Sequence, residues 1–136
     1  MAADRGHAHA ESRLRREKIA WLTTVRRDGQ PQSSPVWFLW RNGEIVVYSK
    51  PTTQKVRNVQ SNAKVAIHLR DVGEGSDIVS IEGTAEIDES YPPAAAIPDY
   101  VTKYRSLIAD INMDPESFAK SYSVPVRIRP AKIRVE

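Results

Sequence analysis

The chain contains no cysteine. That excludes a disulfide framework, a thiol nucleophile and a thiolate metal site, and it accords with a reducing compartment. No apolar run approaches the roughly 20 residues of a membrane span. The N-terminus, MAADRGHAHAESRLRRE, lacks the apolar centre of a signal peptide, so a cytoplasmic protein is expected. Glycines are few, and none stands in a GxGxxG or Walker loop. Beyond His7 and His9 near the N-terminus the only histidine is His68, so no HExxH or HxH metal pattern occurs in the folded region. The serines lack the glycine-flanked spacing of a nucleophile elbow. The sequence offers no proton-transfer or metal machinery of its own. This points to binding, or to chemistry carried by a cofactor.

What is present fits one domain. The chain has 136 residues, within the usual domain range of about 100–200. Residues 1–10 are small and polar and read as a disordered tail; residues 11–136 read as a single domain. A net charge of +3 and a pI near 9.3 are a mild basic excess, not the dense stripe of a nucleic-acid binder. Anionic small molecules are equally compatible partners.

Alanine, arginine and glutamate from about Ala8 to Glu17 favour a short helix anchored by Leu14. Ile19 to Arg26 is the first strand, followed by the hairpin signal Asp28-Gly29. Gln30 to Arg41 is a second run, then the turn Asn42-Gly43, then a third strand from Glu44 to Lys50. In that third strand Ile45 and Val47 share one face and Val46 and Tyr48 the other, so both sides must be covered. Pro31 and Pro35 cannot donate to a ladder, which puts the second strand at an edge or at a bulge. Further alternating strands span Lys64 to Arg70, Ile78 to Asp88 and Ser123 to Arg129, with Pro130 predicted to separate a last strand, Lys132 to Glu136. Gly83 marks a bulge or a close backbone approach. Helices are predicted from Asp99 to Ile111 and, behind the cap Asp114-Pro115, through Tyr122. The total is six or seven strands and three or four short helices. The predicted class is mainly β with short helices, an antiparallel barrel with helices outside it.

The stretch YSKPTTQKVRNVQSN, Tyr48 to Asn62, carries the functional signal. Pro51 stops a strand, and Val56 and Val59 give the next segment a helical apolar face. The first turn of a helix presents unpaired N–H groups and a positive dipole end. Thr52, Thr53, Lys55 and Arg57 add hydroxyls and cations there, a combination that suits a phosphate. A solvated, mildly basic surface helix fits the same composition. Two residues apart on a regular helix, Lys55 and Arg57 diverge; both reach one phosphate only if Lys55 lies in the loop or first turn. Glu82 and Glu86 share a strand face, where alternating exposed charge explains them better than an acid/base pair.

Four segments in order, IAWLTTVRRDGQPQSSPVWFLW, IVVYSKPTTQKVRNVQSN, KVAIHLRD and VSIEGTAEI, with the terminal VPVRIRPAKIRV, resemble the pyridoxamine 5'-phosphate oxidase-like family. That resemblance covers roughly residues 17–136 and implies an antiparallel split β-barrel of the FMN-binding type. Within the family the chain is most similar to a small, mostly actinobacterial branch that uses the deazaflavin coenzyme F420. The resemblance implies a homodimer with the cofactor sites at the subunit interface. It matches Lys55 and Arg57 to the positions that hold the cofactor phosphate. Ser49 and Thr53 match neighbouring hydroxyl donors, and Asn58 the family asparagine. Lys50, with Lys55 and Arg57, could attract an acidic cofactor tail. Ser33, Ser34, Pro35, Val36 and Trp37 match the stretch lining the ring. The chain departs from many relatives at Gly75-Ser76-Asp77, where they carry an aromatic residue, and in lacking a closing aromatic. The implied activity is an F420-dependent oxidoreductase that passes a hydride from the reduced deazaflavin to a conjugated or quinone-like acceptor. No residue of the chain is then required as a catalytic acid. The alternatives are an FMN-binding oxidoreductase of the same fold and a non-enzymatic protein that carries the coenzyme or a haem.

Overall fold

The computed structural model describes residues 2–71, 73, 75 and 77–136, with side chains from His7 onward. Ser76, named above for the departure from the family pattern, lies outside the described residues. Among the described residues seven strands form one antiparallel sheet: β1 (Ala20–Val25), β2 (Pro31–Val36), β3 (Leu39–Arg41), β4 (Glu44–Ser49), β5 (Lys64–Leu69), β6 (Val79–Ile87) and β7 (Val124–Val135). Their order across the sheet is β2-β1-β5-β6-β7-β4-β3.

That order makes the sheet curl. β2 and β3 are its two edges, yet only Trp37 and Phe38 lie between them. Six inter-strand spacings would put the edges of a flat sheet about 29 Å apart. The link from Val36 to Leu39 spans at most about 10 Å. The sheet therefore curls into the antiparallel split barrel expected, and the run from Gln30 to Arg41 is two strands where the sequence suggested one. Phe38, fully buried, is the pin of that crossing. Tyr104 holds it: the Phe38 N–H donates to the Tyr104 hydroxyl at 2.8 Å, and that hydroxyl lies 2.9 Å from the Phe38 carbonyl and 2.7 Å from the Lys18 carbonyl. Lys103 also donates to the Phe38 carbonyl, at 2.9 Å.

The hairpin glycines do what their positions require. Gly29, at φ +91°, closes the β1–β2 turn, where Arg26 N–H bonds Gln30 O at 2.9 Å. Counting from that bonded pair, residues 31, 33 and 35 turn their backbone nitrogens away from β1. Pro31 and Pro35 thus cost the ladder nothing, and β2 is an edge strand as predicted. Asn42 and Gly43 are both at positive φ, the geometry of a two-residue hairpin. Pro130 does not end its strand, in contrast to the reading from sequence. β7 continues through it because the register slips opposite Glu82 and Gly83, leaving Ala131 unpaired. A Cβ on Gly83 would lie 2.3 Å from the Arg129 carbonyl oxygen, so the bulge needs glycine.

Two apolar cores result. Inside the barrel, Leu22, Phe38, Ile45, Val47, Ile67 and Ile128 are fully buried, with Leu14 of helix α1 (Ala2–Arg16) and Val59 of helix α2 (Gln54–Ser61) packed against them. Outside, helices α3 (Pro98–Asp110) and α4 (Pro115–Ser121) cover Leu39, Val46 and Tyr48 with Tyr100, Tyr104, Ile108 and Phe118. Both faces of β4 are buried, as its residues demanded. The Asp114 cap forms a reciprocal pair with Ser117. α1 starts earlier than the composition suggested and takes in the polar segment read as a tail. Its anchor is Arg13 as well as Leu14. Arg13 is fully buried and donates to the carbonyls of Asp77 and Arg70 at 2.6 Å each, while His9 lies 2.7 Å from the Asp77 carboxylate. These bonds fasten the β5–β6 loop to the helix.

Candidate functional site

Pro51 ends β4 and Thr53 turns the chain into α2, with extended φ and ψ. The Thr53 hydroxyl does not cap the helix. It points back instead, 2.8 Å from the hydroxyl of buried Ser49 and 3.3 Å from the Lys50 carbonyl. The first turn of α2 therefore keeps its amide groups free of a side-chain cap, and the helix dipole adds positive potential there.

Beside this turn is a cleft of ≈ 420 Å³, a size usual for small-molecule sites. One side is the β2–β3 crossing: Pro35, Val36 and Trp37. The floor is Tyr48 and Ser49, and the rim carries Lys50, Thr53 and Lys55. The far wall is Ile111, Phe118 and Tyr122. Among the described residues two lysines and no acid line it, so its field favours anions. Lys55 is half-buried, and that burial lowers its pKa below the ordinary lysine value. An anion brought beside it offsets the desolvation. The aromatic wall is ordered: Trp37 stacks on Tyr104 at 5.0 Å and 8°, and on Phe118 at 5.4 Å and 16°; Phe118 stacks on Tyr122 at 4.5 Å and 16°. A planar ring fits such a wall.

The structure divides the residues singled out from sequence. Pro35, Val36, Trp37, Ser49, Lys50, Thr53 and Lys55 converge on the cleft. Arg57 does not. Lys55 is the second residue of α2, and two helical steps rotate Arg57 by about 200°. Arg57 lines a separate cleft with Arg27, Gln60 and Ser61, and donates to Thr52 O and Gln54 Oε1 at 2.8 Å each. Asn58 is buried and bonded on every side. It accepts from Gln54 at 2.8 Å and donates to the Thr24 hydroxyl at 2.9 Å and to Gln32 Oε1 at 3.0 Å. The series Thr52–Arg57–Gln54–Asn58–Thr24 ties the turn before α2 to the sheet. Ser33 is exposed and bonded to Thr23 at 2.7 Å, and Ser34 lies outside the cleft.

Tyr48, Ile111, Phe118 and Tyr122 were not among the site residues read from sequence. The available signal was the four-residue spacing of Phe118 and Tyr122 behind a strong cap, which sets both rings on one side of α4. His68 is exposed on the outer strand face, and Glu86 is paired with Arg129 at 3.1 Å. Among the described residues no three His, Asp or Glu side chains converge as a metal site, and no helix is long and apolar enough to cross a membrane.

A family model described as pyridoxamine 5'-phosphate oxidase matches residues 7–135. Among solved structures the chain is similar to an F420 reductase, with 26% identity, a TM-score of 0.68, and coverage of 91% of this chain and 94% of that one. It is similar in fold to general stress protein 26 of Bacillus anthracis, at 20% identity, TM-score 0.72 and 94% and 91% coverage. A third similar fold is a heme storage protein of Vibrio cholerae, at 14% identity, TM-score 0.63 and 97% and 92% coverage. Among curated proteins no relative matches the chain.

Proposed function

The chain belongs to the pyridoxamine 5'-phosphate oxidase family, and from that premise we propose that it is an F420-dependent oxidoreductase acting on a conjugated or quinone-like acceptor. One observation carries the reading: the cleft joins a phosphate-type turn to an aromatic wall, with two cations and no acid among the described residues. The donor chemistry fits the coenzyme. Lys55, the Ser49 and Thr53 hydroxyls and the first-turn amides of α2 would hold its phosphate. The crossing at Pro35–Trp37 would lie along its ring. Bound there, the reduced coenzyme would supply hydride-transfer chemistry toward the acceptor. The chain's own residues bind, orient and exclude water, and the accompanying proton is drawn from solvent.

Arg57 acts from behind this site. Its guanidinium holds the Thr52 carbonyl and so fixes the turn that leads through Thr53 into the helix carrying Lys55. We also propose a homodimer with the cleft at the interface. Ile19 and Trp21, each 40% exposed on or beside β1, supply apolar surface for a second copy.

FMN offers the same pairing of phosphate and planar ring, so an FMN oxidoreductase is the second reading. The absorbance of the purified protein separates them: a bound yellow flavin favours FMN. Turnover separates either from a carrier. Reduced F420 oxidised in step with quinone reduction supports the proposal; tight binding of the coenzyme with no turnover on quinones, tetrapyrroles or unsaturated lactones refutes it.

A further inference from the structure

The two lysines of the cleft stand in different surroundings. Lys55 is half-buried on α2, on the side of the Ser49 and Thr53 hydroxyls. Lys50 is exposed, and its ammonium stands 5.4 Å from the centroid of the Tyr122 ring. It makes no ion pair among the described residues. Tyr122 is itself held flat by Phe118, which Trp37 backs in turn. The wall thus runs from the β2–β3 crossing outward through Phe118 to Tyr122 and ends at a free cation, with Ile111, 42% exposed, at its lip.

We propose that Lys50 and Tyr122 select the hydride acceptor, and that the acceptor is a planar conjugated molecule bearing an anionic substituent such as a carboxylate or sulfonate. This rests on the oxidoreductase reading above. The ring of such an acceptor takes the Tyr122 face over which the Lys50 ammonium stands, opposite Phe118, and shifts the ammonium to its own edge. Its anionic group then pairs with Lys50, to which the described residues offer only the Tyr122 π-face. Among the described residues no acidic side chain lines the cleft, so none of them repels the anion, whereas a cationic acceptor meets two like charges. The phosphate end keeps Lys55, so coenzyme and acceptor do not compete for one cation.

The test uses the full chain with reduced F420 and two quinones of one ring system, 1,4-naphthoquinone and its 2-sulfonate. Lys50→Met is expected to raise the KM for the sulfonate, relative to the neutral quinone, roughly fivefold, the size of one exposed ion-pair contact. Lys50→Arg should restore the preference. Tyr122→Leu should raise KM for both quinones. Equal changes for the two quinones in Lys50→Met, or a loss confined to coenzyme affinity, would overturn the assignment. If the parent reduces neither quinone, the oxidoreductase reading fails by itself. Quenching of tryptophan fluorescence by the sulfonate, without coenzyme, then still decides: tighter binding by the parent than by Lys50→Met supports the site, and equal binding refutes it.

Discussion

Asn58→Ala separates a structural brace from a ligand contact. The Asn58 side chain is 1% exposed and makes three hydrogen bonds, to Gln54, Thr24 and Gln32. Gln54 is exposed and Gln32 half-buried, so both can turn to water when the asparagine is removed. Thr24 cannot; it is 2% exposed. One buried hydroxyl left without its partner costs about 1–3 kcal/mol, and the small void adds to that. A total of about 2–3 kcal/mol corresponds to a fall in Tm of roughly 6–15 °C for a domain of this size. The assay is thermal and urea unfolding of the ligand-free protein by circular dichroism. If Asn58 served chiefly as a cofactor contact, the ligand-free variant would unfold within about 2 °C of the parent and only coenzyme affinity would fall. That result would refute the reasoning.

Three further outcomes follow from particular contacts. Gly83→Ala drives a methyl group into the Arg129 carbonyl and should lower stability by about 1–3 kcal/mol; an unchanged urea midpoint would contradict the bulge. Burial, with the charge of Lys18 beside it, pushes Lys103 down to about 8. Because the folded value lies below the unfolded one, the unfolded chain binds more protons between pH 8 and the ordinary lysine range. Parent stability relative to Lys103→Met should therefore rise with pH across that window, and a flat or falling difference would contradict it. Burial pushes the Glu44 carboxyl up, but Arg127 and Arg129 outweigh that and hold it below the usual carboxylate range. Its contribution is present at neutral pH and is lost as pH falls through the folded value. Glu44→Gln should accordingly show a shallower loss of stability in acid than the parent, measured by urea midpoints between neutrality and low pH.

Much of the fold was legible because it rests on local rules. Asp28-Gly29 and Asn42-Gly43 specify hairpins through the positive φ each needs. Val46 and Tyr48 announce a second apolar layer, since they cannot remain exposed opposite Ile45 and Val47. Closure was not legible in the same way. Whether Gln30 to Arg41 forms one strand or two depends on Tyr104 and Lys103, 66 and 65 residues distant from Phe38 in sequence. Pro130 misled for a similar reason: its missing donor is accommodated by a register shift in β6–β7 pairing that only the assembled sheet supplies. At the site, Thr53 and Lys55 were readable from helix-start chemistry. The two-residue spacing already set Arg57 apart from Lys55 on a regular helix, whereas Asn58 was not separable from them by composition. The divergence depends on where the helix begins, and here Gln54 opens it, so Lys55 is already helical. The far wall needed tertiary information, because Phe118 and Tyr122 approach Trp37 only through the packing of α3 and α4 on β4.

The central claim is that the cleft beside α2 holds the phosphate and ring of a deazaflavin. Titration of the purified dimer or monomer with F420 and with FMN, on the parent and on Lys55→Ala, tests it most directly. The account predicts that F420 binds in preference to FMN and that Lys55→Ala weakens it about 10- to 150-fold, the worth of one charge-assisted contact. Arg57→Ala, which acts through Thr52 and Gln54 and does not line the cleft, should weaken it less. Equal F420 affinity in the parent and Lys55→Ala, or preference for FMN over F420, would contradict the account.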